Sequence, residues 1–299
     1  MHVRVRVPAT TANLGPGFDC LGMALQIYNQ VTVRVNGRVT VEVTGEGGHE
    51  LPRGEDNLVY QAFRRVYEVL GKVPPPIRIL AENAIPLARG LGSSATAVIG
   101  GLLAANAMLG NPLSQDELLR LAWQIEGHPD NVVPALLGGC VVSVQEGGRL
   151  VWARVPIPPS LRAVLFVPNF KMRTQEARAV LPQTLSRSEA IFNISRAALL
   201  VAALATGELR HLAIATQDRI HQPARQALFP ALPHLLEAAL EAGALGAFLS
   251  GAGSTVLAFA SGNEQAVALA MQLAAVDEDI GGQAIITRPS MQGAIVERE

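Results

Sequence analysis

Three glycine-rich segments hold most of the side chains able to do chemistry. The central one reads Pro86-Leu87-Ala88-Arg89-Gly90-Leu91-Gly92-Ser93-Ser94-Ala95. Its glycines allow positive φ and let a ligand approach the backbone closely. The two serines open a predicted helix. Free N–H groups and the positive end of the helix dipole there favour an anion, above all a phosphate. Serine hydroxyls add donors or an oxygen ligand for magnesium. Taken alone, a serine-capped helix after a turn explains this segment equally well.

The first segment, Pro8-Ala9-Thr10-Thr11-Ala12-Asn13-Leu14-Gly15-Pro16-Gly17-Phe18-Asp19, brings hydroxyls, an amide and a carboxylate together. Asn, Asp, Gly and Pro are ordinary turn formers, yet long loops in compact domains are usually functional. The third segment, Leu249-Ser250-Gly251-Ala252-Gly253-Ser254-Thr255, joins two apolar runs. A glycine-containing hairpin accounts for it; successive glycine N–H groups can also close one side of a phosphate site.

Other motifs fit less well. The run from Gly90 to Ala95 formally matches G-x-G-x-x-G/A, but a dinucleotide fingerprint needs a strand running into the first glycine and then a βαβ unit. Here a proline-containing loop precedes the glycines and two helices follow in succession. No lysine follows them, so this is not a Walker A loop. His128-Pro129-Asp130 is half of a 2-His-1-carboxylate iron site. It would also require His211, His221 or His234, and it leaves the glycine segments unexplained. A G-x-S-x-G nucleophile elbow is absent.

The elements that must position these segments are legible from periodicity. Val3, Val5 and Val7 alternate with Arg4 and Arg6 and predict a strand ended by Pro8, followed by an ordered loop over 9–22. Runs at 27–35 and 38–43 around Asn36-Gly37 predict a hairpin. Asp56 or Asn57 caps a helix to Leu70, stopped at Gly71. A strand is expected at 77–80. The helix over 93–108 is rich in Ala and Gly, which predicts close packing. Ser114 with Glu117 forms a capping box for a helix to Ile125, interrupted by Glu126-Gly127-His128-Pro129-Asp130-Asn131. Strands are expected at 140–144 and 150–155. Pro156-Ile157-Pro158-Pro159 marks a boundary, dividing the chain into domains 1–155 and 156–299. Beyond it come a strand at 163–167, helices at 174–181, 188–205 and 233–242, strands at 247–249 and 255–259, a helix at 264–274 and strands at 284–287 and 294–296. Strand and helix do not alternate regularly, so the class is α+β.

Composition narrows the partners. The 299 residues are 49% hydrophobic and 16% charged, which excludes a disordered chain and suits one large domain or two medium ones. With 24 basic and 25 acidic residues the formal net charge is -1, so neither nucleic acid nor a membrane surface is an expected partner. No run of about 18 apolar residues marks a membrane span. Met1-His2-Val3-Arg4 lacks the order of a signal peptide. Cys20 and Cys140 are too far apart for a CxxC site and too few for a disulfide framework, so a cytoplasmic location is expected. Lys72 and Lys171 are the only lysines.

In order and spacing the three segments resemble those of the GHMP superfamily of small-molecule kinases. The P-x-x-x-G-L-G-S-S-A phosphate loop is complete from Pro86 to Ala95. The first segment, His128-Pro129-Asp130-Asn131 and Thr174-Gln175-Glu176-Ala177-Arg178 make the chain most similar to the homoserine kinases within it. Ser254 stands where that family usually has proline. The resemblance covers essentially the whole chain. It implies a ribosomal-S5-like N-terminal domain holding ATP, a ferredoxin-like C-terminal domain, and a homodimer.

The resemblance also implies roles. Pro86 to Ala95, with Gly251 and Gly253, would hold the nucleotide phosphates. Glu126 and Ser93 would hold magnesium. Asp19 would face the ammonium of L-homoserine, and Arg178 and Arg225 would fork onto its carboxylate. Thr174 and His128 complete the acceptor pocket, and Asn13 bonds the reacting hydroxyl. Asp130 and Asn131 lie at the reacting centre without being established as a base. No lysine falls in any motif, which suits catalysis by positioning. The purine is expected over 34–58. The competing readings are another GHMP kinase with a mevalonate or sugar acceptor, and a non-catalytic sensor on the same fold.

Overall fold

The computed structural model describes residues 2–298; Met1, where the first alternating run begins, and Glu299 lie outside them. In chain order the elements are β1 (His2–Ala12), β2 (Leu21–Val35), β3 (Thr40–Gly45), α1 (Leu58–Val69), β4 (Ile77–Asn83), α2 (Ser93–Met108), α3 (Gln115–Glu126), α4 (Pro129–Leu137), β5 (Cys140–Glu146) and β6 (Arg149–Val155). There follow β7 (Arg162–Pro168), α5 (Thr174–Ala179), α6 (Arg187–Thr206), a 3-10 turn (Leu209–His211), α7 (Leu212–Ala215), α8 (Gln222–Arg225), α9 (Leu232–Glu241), β8 (Gly246–Leu249), β9 (Val256–Ala260), α10 (Glu264–Asp277), β10 (Gly282–Thr287) and β11 (Ile295–Arg298). One seven-stranded sheet runs β11-β1-β2-β4-β3, with β5 on β2 and β6 on β5; a four-stranded sheet runs β10-β7-β9-β8. The mixture is α+β, as expected. The last strand returns to the first sheet, pairing Val3 with Arg298 and Val5 with Val296.

Three cores explain the layers. Val3, Val5 and Val7 of β1 face inward with Val31, Val33, Ile77 and Ile79, beneath Val98, Ile99 and Leu102 of α2. Burying one such side chain contributes about 1.5–3 kcal/mol. The small residues of α2 bring it close: a Cβ on Gly101 would stand 2.2 Å from the Val59 carbonyl oxygen of α1. A second core lies between the sheets, where Leu14, Leu21, Met23 and Leu25 meet Leu165, Phe248 and Phe259. It fixes the first glycine-rich segment against the C-terminal strands. The third backs the four-stranded sheet with α9 and α10.

Helix ends follow their sequence signals. Asn57 caps α1 through a bond from the Val59 N–H, and Ser114 and Glu117 form the capping box of α3. Two expectations need correction. Pro8 does not end β1: the strand continues to Ala12, with a register shift between Pro8 and Ala9. Such an irregularity is where a strand tolerates a residue without an N–H. The hairpin at Asn36-Gly37 does not form, because β4 lies between β2 and β3. Neither turn residue takes the positive φ that a type I′ turn requires. Instead β3 pairs parallel with β4, and α1 makes the crossover. His128 occupies the N-cap of α4, a helix that begins with Pro129. Proline in the first turn is a favoured start.

Candidate active site

The three glycine-rich segments fold against one another. Gly90 takes φ +75, and a Cβ there would fall 2.0 Å from the Ser250 carbonyl oxygen. Only glycine admits both the conformation and the approach. Ser250 Oγ donates to Gly90 O at 2.6 Å, Thr10 N to Leu91 O at 3.1 Å, and Gly251 N to Ala12 O at 3.1 Å. Asn13, with φ +68, donates from Nδ2 to Gly251 O at 2.9 Å and accepts from Asp19 N at 3.1 Å.

Between the segments lies a cleft of about 670 Å³. It is lined by Asn13, Asp19, Pro86, Ala88, Arg89, Gly90, Leu91, Gly92, Ser93, Ser94, Ala95, Glu126, His128, Asp130, Asn131, Thr174, Arg178, Arg225 and Gly251. Every site residue named from the sequence is among them except Leu87 and Gly253. Leu87 lines an adjoining cavity of about 1140 Å³ with Val43, Leu51, Pro52, Asn57 and Leu58. Ala88, Ser93, Ser94 and Thr174 border both. Gly253 sits behind the cleft, where a Cβ would meet Met172 Sδ at 2.9 Å.

Ser93 and Ser94 open α2, so the helix N-terminus faces the cleft. The hydroxyl that meets Glu126 is that of Ser94, one residue beyond the serine expected at the metal. Burial holds the Glu126 carboxyl above its ordinary range, against the opposing bond from Ser94 and the charge of His128. Magnesium fits this donor set: it takes one or two carboxylates, hydroxyls and substrate phosphates, not a dedicated cage. Among the described residues no cluster of three His, Cys, Asp or Glu side chains suits a metal.

Asp130 is buried and accepts from His128 Nδ1 at 2.8 Å. Burial disfavours the charged imidazole, but the bond to Asp130 and its charge outweigh this, and the His128 pKa is raised. Asn131 Oδ1 accepts from Thr10 Oγ1 at 2.7 Å. Arg178 forks onto Asp19 at 3.0 and 2.6 Å, which raises the arginine pKa further. Arg225 is 2% exposed. Its Nε donates to Ala177 O at 3.1 Å, and its Nη1 to Gly251 O at 2.7 Å and to His221 Nδ1 at 3.0 Å. Burial pushes its pKa down to about 10, aided by the charge of Arg178. The free fork expected of both arginines is therefore not what the structure displays. Arg178 is engaged by Asp19, and Arg225 by its Nε and Nη1, so Nη2 is the one nitrogen of its guanidinium without a hydrogen bond among the described residues. The Arg89 guanidinium is likewise spent on the carbonyls of Pro168, Leu87 and Asn169.

Several contributors were not anticipated. Asn29 is buried in β2; its Oδ1 accepts from Ala84 N at 2.9 Å and Ile85 N at 3.0 Å, and its Nδ2 donates to Thr96 Oγ1 at 2.9 Å. It thus ties the phosphate loop's entry to α2. A polar residue in line with the inward-facing Val31 and Val33 was the available signal. Phe18 and Met172 also line the cleft.

The N-terminal GHMP kinase domain model matches residues 57–139 and the C-terminal one residues 200–277. A homoserine kinase of Moorella thermoacetica is 44% identical over 98% of this chain and 99% of its own. One of Synechocystis is 51% identical over 86% of this chain and 85% of its own. The crystal structure of homoserine kinase from Cytophaga hutchinsonii superposes with a TM-score of 0.89 at 32% identity, covering 99% of this chain and 97% of that one. With the complete phosphate loop at the mouth of α2, these matches establish that the chain is a kinase of the two-domain GHMP fold and belongs to the homoserine kinase family.

Proposed function

We propose that the chain transfers the γ-phosphoryl group of ATP to the side-chain hydroxyl of L-homoserine, giving O-phospho-L-homoserine for threonine synthesis. One observation carries this reading. A single cleft joins a helix N-terminus built for phosphate to a carboxylate and two arginines suited to a zwitterion. The ATP phosphates lie along Gly90 to Ala95, and the apolar cavity beside Leu51 and Leu58 takes the base. Glu126, with the hydroxyls of Ser93 and Ser94, would hold Mg2+, which when bound offsets the charge of the phosphates.

Asp19 and Arg178 satisfy each other here. An amino acid brings both an ammonium and a carboxylate, so it can replace each partner without changing the charge balance. Nη2 of Arg225 then completes the carboxylate contact, with Thr174 and His128 closing the pocket. A loose, metaphosphate-like transition state requires little early deprotonation. Asp130, tied to His128, orders the site instead of serving as a free base. Cytoplasmic location, a homodimer, the absence of nucleic-acid and membrane partners, and a domain boundary at 155/156 belong to the same reading.

The test is ADP release from Mg-ATP with L-homoserine, mevalonate, galactose and shikimate. Selective turnover of L-homoserine is expected. Turnover of another acceptor would retain the phosphate loop and overturn the roles of Asp19, Arg178 and Arg225.

A further inference from the structure

Behind the cleft lies a polar group of residues that no step above uses. The side chains of Asp218 and His221 have no exposed surface. Asp218 Oδ1 accepts from Asn193 Nδ2 at 2.6 Å and Ile220 N at 3.0 Å, and its Oδ2 from His221 N at 2.9 Å and Gln222 N at 2.7 Å. Four donors on one carboxylate fix the start of α8. Asn193 of α6 also donates to Pro16 O at 3.3 Å, and Gln222 Oε1 accepts from Leu249 N at 2.7 Å. The segment from Asp218 to Arg225 is thereby anchored to the first glycine-rich segment, to α6 and to β8.

His221 stands at its centre, and its hydrogen bonds assign its protons. Arginine can only donate, so Nδ1, 3.0 Å from Arg225 Nη1, must be the acceptor. Nε2 must then carry the hydrogen it donates to Gly15 O at 2.7 Å. The opposite tautomer would break both bonds. The imidazolium would set a second cation against the buried arginine. With Gly251 O, His221 uses both hydrogens of Arg225 Nη1, which leaves Nη2 as the unbonded nitrogen of a residue that lines the cleft. The same ring stacks on Phe18, their centroids 5.4 Å apart. Phe18 in turn lies 5.5 Å from the Arg178 guanidinium and 5.7 Å from that of Arg225.

We infer that His221 is a positioning residue for acceptor binding: its backbone N–H is anchored on Asp218 and its ring, a neutral Nε2–H imidazole, bonds Gly15 O, and so it sets which nitrogen of Arg225 meets the acceptor carboxylate. The inference rests on Arg225 being an acceptor contact. None of the His221 hydrogen bonds reaches the loop from Gly90 to Ala95, so its effect falls chiefly on the acceptor side.

Asparagine can place an amide oxygen near the position of Nδ1, whereas glutamine reaches the position of Nε2. His221→Ala and His221→Gln should therefore raise the KM for L-homoserine about tenfold or more, the scale of one lost bond to a charged group. The KM for ATP should stay within about twofold, since the phosphate loop is untouched. His221→Asn should recover most of the homoserine KM. Parallel rises in both KM values, or no advantage of Asn over Gln, would reduce His221 to a packing residue and overturn the inference. Arg225→Ala is the control: if it leaves the homoserine KM unchanged, the reading of Arg225 fails, independently of His221. For variants that do not fold, 15N NMR of histidine-labelled wild-type protein reads the tautomer directly. A proton on Nε2 alone is expected, and a proton on Nδ1 would refute the assignment.

Discussion

Arg178→Ala probes the acceptor site most directly. In the structure the guanidinium forks onto Asp19 at 3.0 and 2.6 Å, with 36% of the Arg178 side chain and 33% of the Asp19 side chain accessible. A hydrogen bond to a charged group contributes about 1.5–3 kcal/mol. The acceptor carboxylate must, however, displace Asp19 from Arg178, and a partly exposed ion pair is worth only about 0–1 kcal/mol. The net loss on removing Arg178 is then about 0.5–3 kcal/mol, which corresponds to roughly 2–160-fold in kcat/KM for L-homoserine. Arg178→Lys should fall between, because an ammonium keeps the charge but not the fork. Initial rates of ADP release, with each substrate varied in turn, separate the two sides of the cleft. The KM for ATP should move less than about twofold, since no bond joins Arg178 to the phosphate loop. An equal rise in both KM values would refute the carboxylate role, as would an unchanged KM for homoserine.

Three further substitutions test other parts of the site. Glu126→Gln should lower kcat about 10²-fold, the scale of one lost preorganised contact, and weaken the dependence on Mg2+; unchanged magnesium dependence would move the metal to another acid. Because burial raises the folded-state pKa of Glu126 above 4.5, its ionisation costs stability as pH rises through that value. Without metal, Glu126→Gln should raise Tm at pH 7 and change it little at pH 4, and the reverse order would contradict the burial argument. Gly90→Ala must hold an alanine at φ +75 with its Cβ 2.0 Å from Ser250 O, a strain of about 1–3 kcal/mol before the clash is counted. A lower Tm and a raised KM for ATP are expected, and wild-type values of both would mean that the two glycine loops are not locked. Asn29→Leu leaves the N–H groups of Ala84 and Ile85 unpaired, at about 1–3 kcal/mol each, and urea unfolding should report the loss.

Much of this was legible because the signals are local. The Ser114 capping box, the Asn57 cap and the start of α2 at Ser93 each depend on residues within one turn of one another. The phosphate loop is legible for the same reason, since its glycines and serines act through their own backbone. Long-range pairing was not. The Asn36-Gly37 dipeptide favours a hairpin, but β4, about forty residues further on, takes the edge of β2. Pro8 reads as a stop until the register shift beside it is seen. The arginines show both sides of the limit. Their motifs point to the cleft, and the cleft contains them. Which of their N–H groups remain available depends on Asp19, Gly251 and His221, residues scattered through the chain with no periodicity to link them.

That dispersion has a mechanistic consequence. Phosphoryl transfer by positioning succeeds only if the two substrates are held in fixed relation, because misplacement of about 1 Å can cost 10²-fold. The phosphate loop is not held by its own helix alone. Thr10, Ser250, Thr255 and Met172 bond to its backbone from three other segments, and Met172 N reaches Ala88 O at 3.0 Å. Met172 lies two residues before Thr174 and six before Arg178, so the loop leading into α5, the helix that carries the acceptor contacts, also braces the phosphate loop. Contacts at this seam should therefore affect both substrates, whereas Arg178 and His221 should affect only one. Substitution of Met172 by proline, which removes the N–H that bonds Ala88 O, provides the contrast: a joint rise in both KM values there, beside the selective rises elsewhere, is the pattern that rigid mutual bracing requires. A selective effect at Met172 would instead mean that the two halves of the cleft are positioned independently.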